Sequence, residues 1–269
     1  MTVRNVLSIA GSDPSGGAGI QADLKAFSAR GTYGMAALTA LTAQNTQGVT
    51  AVLPLPVDFV ISQIDAILDD IRVDAVKIGM IANAEIADAL ADLLARRCEG
   101  IPIVLDPVMM AKGGSPLLAP TAIAAVRDRL VPLATVMTPN LPEAAALLGE
   151  AEATNREAMA DQAKQLHLTG PDAVLIKGGH LDGGHSPDVL AQAAGLSWFE
   201  AQRVATRNTH GTGCTLSSAI AAEIAKGVPV TDAITIAKAY LTCAIAEADS
   251  LSVGSGHGPV HHFIDLWRQ

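Results

Sequence analysis

The feature that most constrains this chain is an alternation. Short apolar or β-branched runs, each ending at a polar or glycine-bearing turn, are separated by longer stretches of helical period. The runs are 6–10, 51–55, 75–78, 103–105, 135–137 and 173–176, and the helical patterns are 20–30, 58–70, 84–97, 122–129, 142–148 and 156–166. Strands alternating with helices predict an α/β fold, a central mostly parallel sheet with helices on both faces. The composition agrees: 49% of the 269 residues are hydrophobic but only 3% aromatic, so Ala, Val, Leu and Ile must fill the layers. Beyond residue 177 the pattern changes. Stretches 186–190 and 197–204 read as strands around a turn at Ala194-Gly195, a small antiparallel excursion, and helices 216–226 and 231–248 follow. With no repeat, low-complexity tract or long linker, one domain over 1–269 is expected.

In sheets of this kind ligands gather beyond the carboxyl ends of the strands. Four strand ends carry polar chemistry: Gly11-Ser12-Asp13, Asp106-Pro107, Thr138-Pro139-Asn140 and Lys177-Gly178-Gly179. The run Asn208-Thr209-His210-Gly211-Thr212-Gly213-Cys214-Thr215-Leu216 is the most informative, a glycine-bearing turn opening into an alanine-rich helix. Backbone N–H groups converge at such a helix start, and the dipole adds positive potential, so an anion belongs there. The same field favours a thiolate at Cys214 near neutral pH. An anion hole beside a base is what phosphoryl transfer to a hydroxyl requires. Cys214 as an inert helix residue is the bland alternative, and Gly211 and Gly213 weigh against it.

The other motifs keep two readings each. Gly11 to Gly19 lacks the ending of a P-loop and the spacing of a dinucleotide fingerprint. It is a tight strand-to-helix turn or a loop approaching a small substrate. Asp23, one turn on, is a surface charge or a carboxylate turned back to that substrate. Asp106 and Glu143 could jointly hold Mg²⁺, while Asn140 with Glu143 also reads as a helix cap. Lys177, before a mobile glycine pair, suits a nucleotide phosphate or is solvated.

The formal charge of −9, with no Lys or Arg run, argues against nucleic-acid and anionic-membrane partners. Cys98, Cys214 and Cys243 share no metal or disulfide spacing, and Cys98 and Cys243 read as structural. The histidines, His210 among them, read as loop or cap residues, not zinc ligands. No secretory leader or membrane span is read, so a soluble cytoplasmic setting is expected.

The ordered set Ala10 to Lys25, Ala43-Gln44-Asn45-Thr46, Lys77-Ile78-Gly79-Met80, Asp106-Pro107-Val108-Met109, Thr138 to Ala144, Lys177-Gly178-Gly179-His180 and Asn208 to Leu216 resembles the hydroxymethylpyrimidine/phosphomethylpyrimidine kinases of thiamine biosynthesis, in the ribokinase superfamily. The resemblance runs nearly end to end. It implies a ribokinase-like fold, a homodimer, and ATP- and Mg²⁺-dependent phosphorylation of 4-amino-5-hydroxymethyl-2-methylpyrimidine, first to the monophosphate and then to the diphosphate. It also implies that Gln44 bonds the aminopyrimidine edge with Asp23 beside it, and that Gly11, Met80 and Val108 line the pocket. Asn140, Asp106, Lys177 and Thr209 would face the nucleotide phosphates, with Glu143 and Asp106 toward the metal. Gly211, Thr212, Gly213 and Cys214 would form the anion hole and base. Sugar kinases of the superfamily carry aspartate where this chain has Cys214, and Lys112-Gly113-Gly114 stands where Lys-Ser-Gly is usual.

The nearest rival is a pyridoxine or pyridoxal kinase on the same scaffold. Gln44 disfavours it, since an amide offers the aminopyrimidine both a donor and an acceptor. A non-catalytic vitamin-binding protein would not need Asp106, Glu143, Lys177 and Cys214 together. A dinucleotide oxidoreductase lacks its fingerprint. The adenine pocket is expected between Thr231 and the loop 253–258.

Overall fold

The computed structural model describes residues 2–110 and 118–267, so the Lys112-Gly113-Gly114 turn lies outside the described residues. In chain order the elements are β1 (Asn5–Ala10), α1 (Gly19–Ala29), β2 (Tyr33–Leu38), β3 (Ala40–Asn45), β4 (Gly48–Pro54), α2 (Val57–Leu68), β5 (Ala75–Ile78), α3 (Ala84–Arg97), β6 (Ile103–Leu105), α4 (Pro120–Ala125), β7 (Val136–Met137), α5 (Leu141–Leu148), α6 (Arg156–His167), β8 (Ala173–Lys177), β9 (Asp188–Gln192), β10 (Gly195–Phe199), α7 (Thr212–Ala225) and α8 (Val230–Ala246). Eight strands form one sheet in the order β10-β9-β8-β7-β6-β5-β1-β2, and β3 and β4 form a separate hairpin. β9 pairs antiparallel with both neighbours, and the pairs from β8 through β2 are parallel.

Alternation along the strands divides the core in two. Leu7, Val76, Leu105, Met137 and Ile176 join one buried cluster with α2, α3, α5 and α6. Val6, Ala75, Val104, Val136 and Leu175 join the other, with Phe27 of α1, α7 and α8. Successive strand residues point to opposite faces, so each short apolar run feeds both layers at once. On the second face the sheet offers Ala75 and Ala173, and α7 answers with Ala219, Ala221 and Ala222. Small residues on both sides let α7 lie close, and residues 215–225 are buried.

Four expectations change. Strands β2 and β3 were not foreseen, because Tyr33–Leu38 is rich in Gly, Ala and Met, and Ala40–Asn45 in Ala and amides, with Thr42 the one β-branched residue of the two strands. Packing sets β2: a Cβ at Gly34 would stand 2.9 Å from both Leu24 and Phe27 side chains. The run 51–55 is a strand but not part of the main sheet. It pairs antiparallel with β3, and its residues 51–54 are exposed. The helix expected at 122–129 is α4 continued by a π turn over Val126–Leu130. The late strands pair as foreseen, but the second ends at Phe199.

Candidate active site

The carboxyl ends of β1, β5, β6, β7 and β8 open into one cavity of about 630 Å³, walled on another side by the start of α7 and the β3–β4 hairpin. Gly11, Gln44, Met80, Asp106, Val108, Asn140, Glu143, Lys177, Thr209, Gly211, Thr212, Gly213 and Cys214 all line it. Residues spread over two hundred positions of sequence are therefore neighbours because parallel strands end on the same edge.

The α7 mouth is built by glycine. Gly211 is the N-cap, in the left-handed region at φ 77°, and among the described residues no side chain caps the helix. A Cβ on Gly211 would meet the Gly17 carbonyl at 1.8 Å, so the first glycine loop and this turn interlock. A Cβ on Gly213 would stand 3.3 Å from Lys177 Nζ and 3.5 Å from Asp106 Oδ2. The first-turn N–H groups thus share a small volume with a fixed ammonium, which suits a transferring phosphoryl group.

Lys177 bridges two carboxylates, donating to Asp106 Oδ1 at 2.8 Å and lying 3.9 Å from Glu143 Oε2. Burial opposes the Asp106 charge, yet Lys177 and Lys77 hold it below the usual carboxylate value. Glu143 goes the other way: burial, with the nearby Asp106 charge added, pushes it up to about 7 despite Lys177. Asn140 and Glu143 form a reciprocal capping box at the start of α5, each accepting the other's backbone N–H at 2.8 Å. The cap reading of this pair holds, and both of its residues also line the cavity. Gly178 makes the expected close approach: a Cβ there would strike the Pro187 carbonyl at 1.9 Å, and its N–H donates to Asp188.

Among the described residues no group of three or more His, Cys, Asp or Glu could hold a metal alone. Asp106 and Glu143 nevertheless fit Mg²⁺, which takes few carboxylates and completes its shell with phosphate oxygens and water. The raised Glu143 carboxyl also marks a place where an added positive charge is favoured.

Two expectations fail. Asp23 does not touch the cavity; it is fully buried under α1, bound to Lys77 at 2.9 Å and to the hydroxyls of Ser8 and Ser218 at 2.6 and 2.7 Å. The inward face of α1 packs on β1 and α7, which turns its carboxylate from the ligand. Cys214 is also not a resting thiolate. Burial pushes its thiol up to about 11, against the pull of Lys77 and the Gly19 backbone N–H. Of the other cysteines, Cys98 is buried, whereas Cys243 is exposed on α8 and packs no core.

His210 was missed. It lines the cavity, its Nε2 donating to Asp13 Oδ2 at 2.7 Å and approaching Gln44 Nε2 at 3.4 Å. Asp13 in turn accepts the Ala18 N–H at 2.8 Å, tying the first glycine loop to the α7 turn. A bulge between Ala43 and Gln44 re-aims the hairpin, and the Thr42 hydroxyl donates to the Ser12 carbonyl at 2.8 Å while lying 3.2 Å from the Gln44 side-chain amide oxygen. The signal was present only as an Asp and a His in two separate glycine turns. A second cavity of about 750 Å³ includes Arg207, Asn208, Asp249, Val253 and Gly254. It takes in one edge of the region expected for adenine. Thr231 instead lies by Gln192, and residues 254–257 pack on Thr46.

A phosphomethylpyrimidine kinase family model matches residues 13–261. The chain belongs to the phosphomethylpyrimidine kinase family. It is 52% identical to the hydroxymethylpyrimidine/phosphomethylpyrimidine kinase of Escherichia coli, over 98% of each protein. The phosphomethylpyrimidine kinase of Clostridium difficile superposes with a TM-score of 0.80 at 43% identity, over 90% of this chain and 99% of that one. An ADP complex of Bacillus subtilis pyridoxal kinase gives 0.90 at 40% identity, over 97% and 98%. The family's ribokinase-like architecture is the one described above.

Proposed function

We propose that this family member is an ATP-dependent phosphotransferase of thiamine biosynthesis. It phosphorylates 4-amino-5-hydroxymethyl-2-methylpyrimidine to the monophosphate and then to the diphosphate. The observation that carries the reading is the meeting of Lys177, the open α7 mouth and Cys214 in the cavity that also holds Gln44. Met80 and Val108 offer apolar walls to a flat ring, and the Gln44 amide offers its edge a donor and an acceptor.

In the first step the hydroxymethyl oxygen bonds to the γ-phosphorus as the bond from that phosphorus to the ADP oxygen breaks. The Cys214 thiol first gives its own proton to solvent, and the hydroxyl proton then passes to the thiolate sulfur. Lys177 and the N–H groups of Gly213 and Cys214 stabilise charge spread over the phosphoryl oxygens. Mg²⁺, when held by Asp106 and Glu143, supplies further neutralisation of phosphate charge. In the second step the acceptor is already a phosphate and needs little deprotonation. Cys214 therefore serves the first step far more than the second.

The remaining parts of the reading are a cytoplasmic setting, with no helix among the described residues able to cross a membrane, and a homodimer. Leu53 and Phe59, 61% and 56% exposed on the hairpin and α2, favour cover by a second copy.

The test is phosphorus NMR of products formed from ATP with the pyrimidine alcohol, with pyridoxal and with neither. The reading expects both pyrimidine phosphates from the first mixture. Product from pyridoxal alone would replace it with the rival kinase, to which the Bacillus subtilis neighbour lends its shape. ATP loss equal in all three mixtures would reject both.

A further inference from the structure

The cavity floor holds a second lysine. Lys77 on β5 lines the cavity yet is fully buried, and its ammonium donates to Asp23 Oδ1 and Oδ2 at 2.9 and 3.0 Å. The position of that ammonium is fixed from several sides. Asp23 is held by Ser8 from β1 and by Ser218 from α7, one helical turn beyond Cys214. A Cβ on Gly79 would come within 2.9 Å of Lys77 Nζ, so glycine there leaves room for the charge. Burial opposes the charge of Lys77, but Asp23, and after it Cys214 and Asp106, hold it above the usual lysine value.

The charged groups acting on the Cys214 sulfur are Lys77 from β5, Asp23 from α1, Asp106 after β6 and Lys177 from β8. Glu143 of α5 reaches this set through Lys177, and His210 with its Asp13 partner stands on the turn just before α7. Lys177 is already shared between Asp106 and Glu143, and the transferring phosphate would engage it further. Lys77 is fully buried, and among the described residues its ammonium is hydrogen-bonded to the Asp23 carboxylate alone. Its charge is constant through the reaction.

We infer that Lys77 is a positioning residue for the first phosphorylation: clamped by Asp23, it keeps a positive charge beneath Cys214 that favours the thiolate able to take the hydroxyl proton. The inference rests on Cys214 as the base, and it assigns to the ion pair the job of offsetting burial at sulfur. Asp23 keeps the ammonium charged, although its own negative charge works against the thiolate less strongly than Lys77 works for it.

The test measures iodoacetamide alkylation of Cys214 from pH 6 to 11, peptide by peptide, in a Cys243→Ser background. Lys77→Met alone leaves a buried carboxylate unpaired, so the working variant is Lys77→Met with Asp23→Asn, which removes both charges. Its alkylation midpoint is expected to move up by about half a pH unit or more, and the ratio of first- to second-step kcat to fall about threefold or more, since one pKa unit is a factor of ten. Lys77→Arg, which keeps the charge, restores the parent midpoint. If the double variant does not fold, Gly79→Ala displaces the ammonium without changing any charge, and the same upward shift is expected. An unchanged midpoint in a folded variant overturns the role of Lys77 and leaves Cys214 as base untouched. Equal loss of both steps in Cys214→Ala overturns the base instead, whatever the alkylation midpoint shows.

Discussion

Two of the protein's lysine–aspartate pairs share their chemistry but not their surroundings. Lys77–Asp23 is sealed, with both side chains fully buried and two serines completing the carboxylate's hydrogen bonds. Lys177–Asp106 lies on the cavity wall, its lysine 14% exposed and flanked by a second carboxylate, Glu143. The sealed pair has no exposed side-chain surface, so it acts as a fixed field. The open pair can trade partners, because an arriving phosphate or metal replaces contacts it already makes. A buried ion pair thus sets a fixed field where it is sealed and can bind directly where a ligand reaches it.

Replacing one member separates the two. Lys77→Met is expected to cost about 3–5 kcal/mol in thermal or denaturant unfolding, since it strands the Asp23 charge. A melt close to the parent's would mean that water reaches this pair. Lys177→Met is expected to lower kcat by about 10²–10³-fold in both steps, the typical cost of losing a phosphoryl-stabilising donor. Its loss of stability should be smaller than that of Lys77→Met, because Asp106 keeps the nearby charge of Lys77.

Glu143 sharpens the contrast by pH. Its folded value is raised to about 7 from 4.5, so its share of stability is full below about 4.5 and is lost as pH rises through 7. Glu143→Gln should therefore stabilise the ligand-free protein at pH 8 by on the order of 2 kcal/mol and change little at pH 4.5. Calorimetry at the two pH values reads the difference. The smallest effect belongs outside both pairs. Gln44→Ala should raise KM for the pyrimidine about tenfold with little change in melting, as expected for a neutral hydrogen-bonding amide.

The parallel sheet and the convergence of its strand ends were legible because short apolar runs and glycine turns recur at regular intervals. The resemblance to a family added roles to residues that spacing alone could only make candidates. What escaped was set by tertiary packing. Strand β2 carries Gly and Ala because Leu24 and Phe27 press on it, so no β propensity marks it. Asp23 looked like a ligand because a carboxylate one turn into a helix says nothing about the lysine waiting on β5. The Asp13–His210 link joins residues 197 apart, beyond the reach of any local pattern. Cys214 misled in sign, because a helix mouth favours thiolate only until burial exceeds it.

The division of labour between the two phosphorylations is tested most directly by Cys214→Ala, assayed separately with the alcohol and with its monophosphate. General-base help is worth about 10²–10⁴-fold, so the first step should fall by that order and the second far less. In the parent the first step should also climb with pH toward the Cys214 value of about 11. An equal fall in both steps would contradict the account, leaving the sulfur as a spacer in the wall of the cavity.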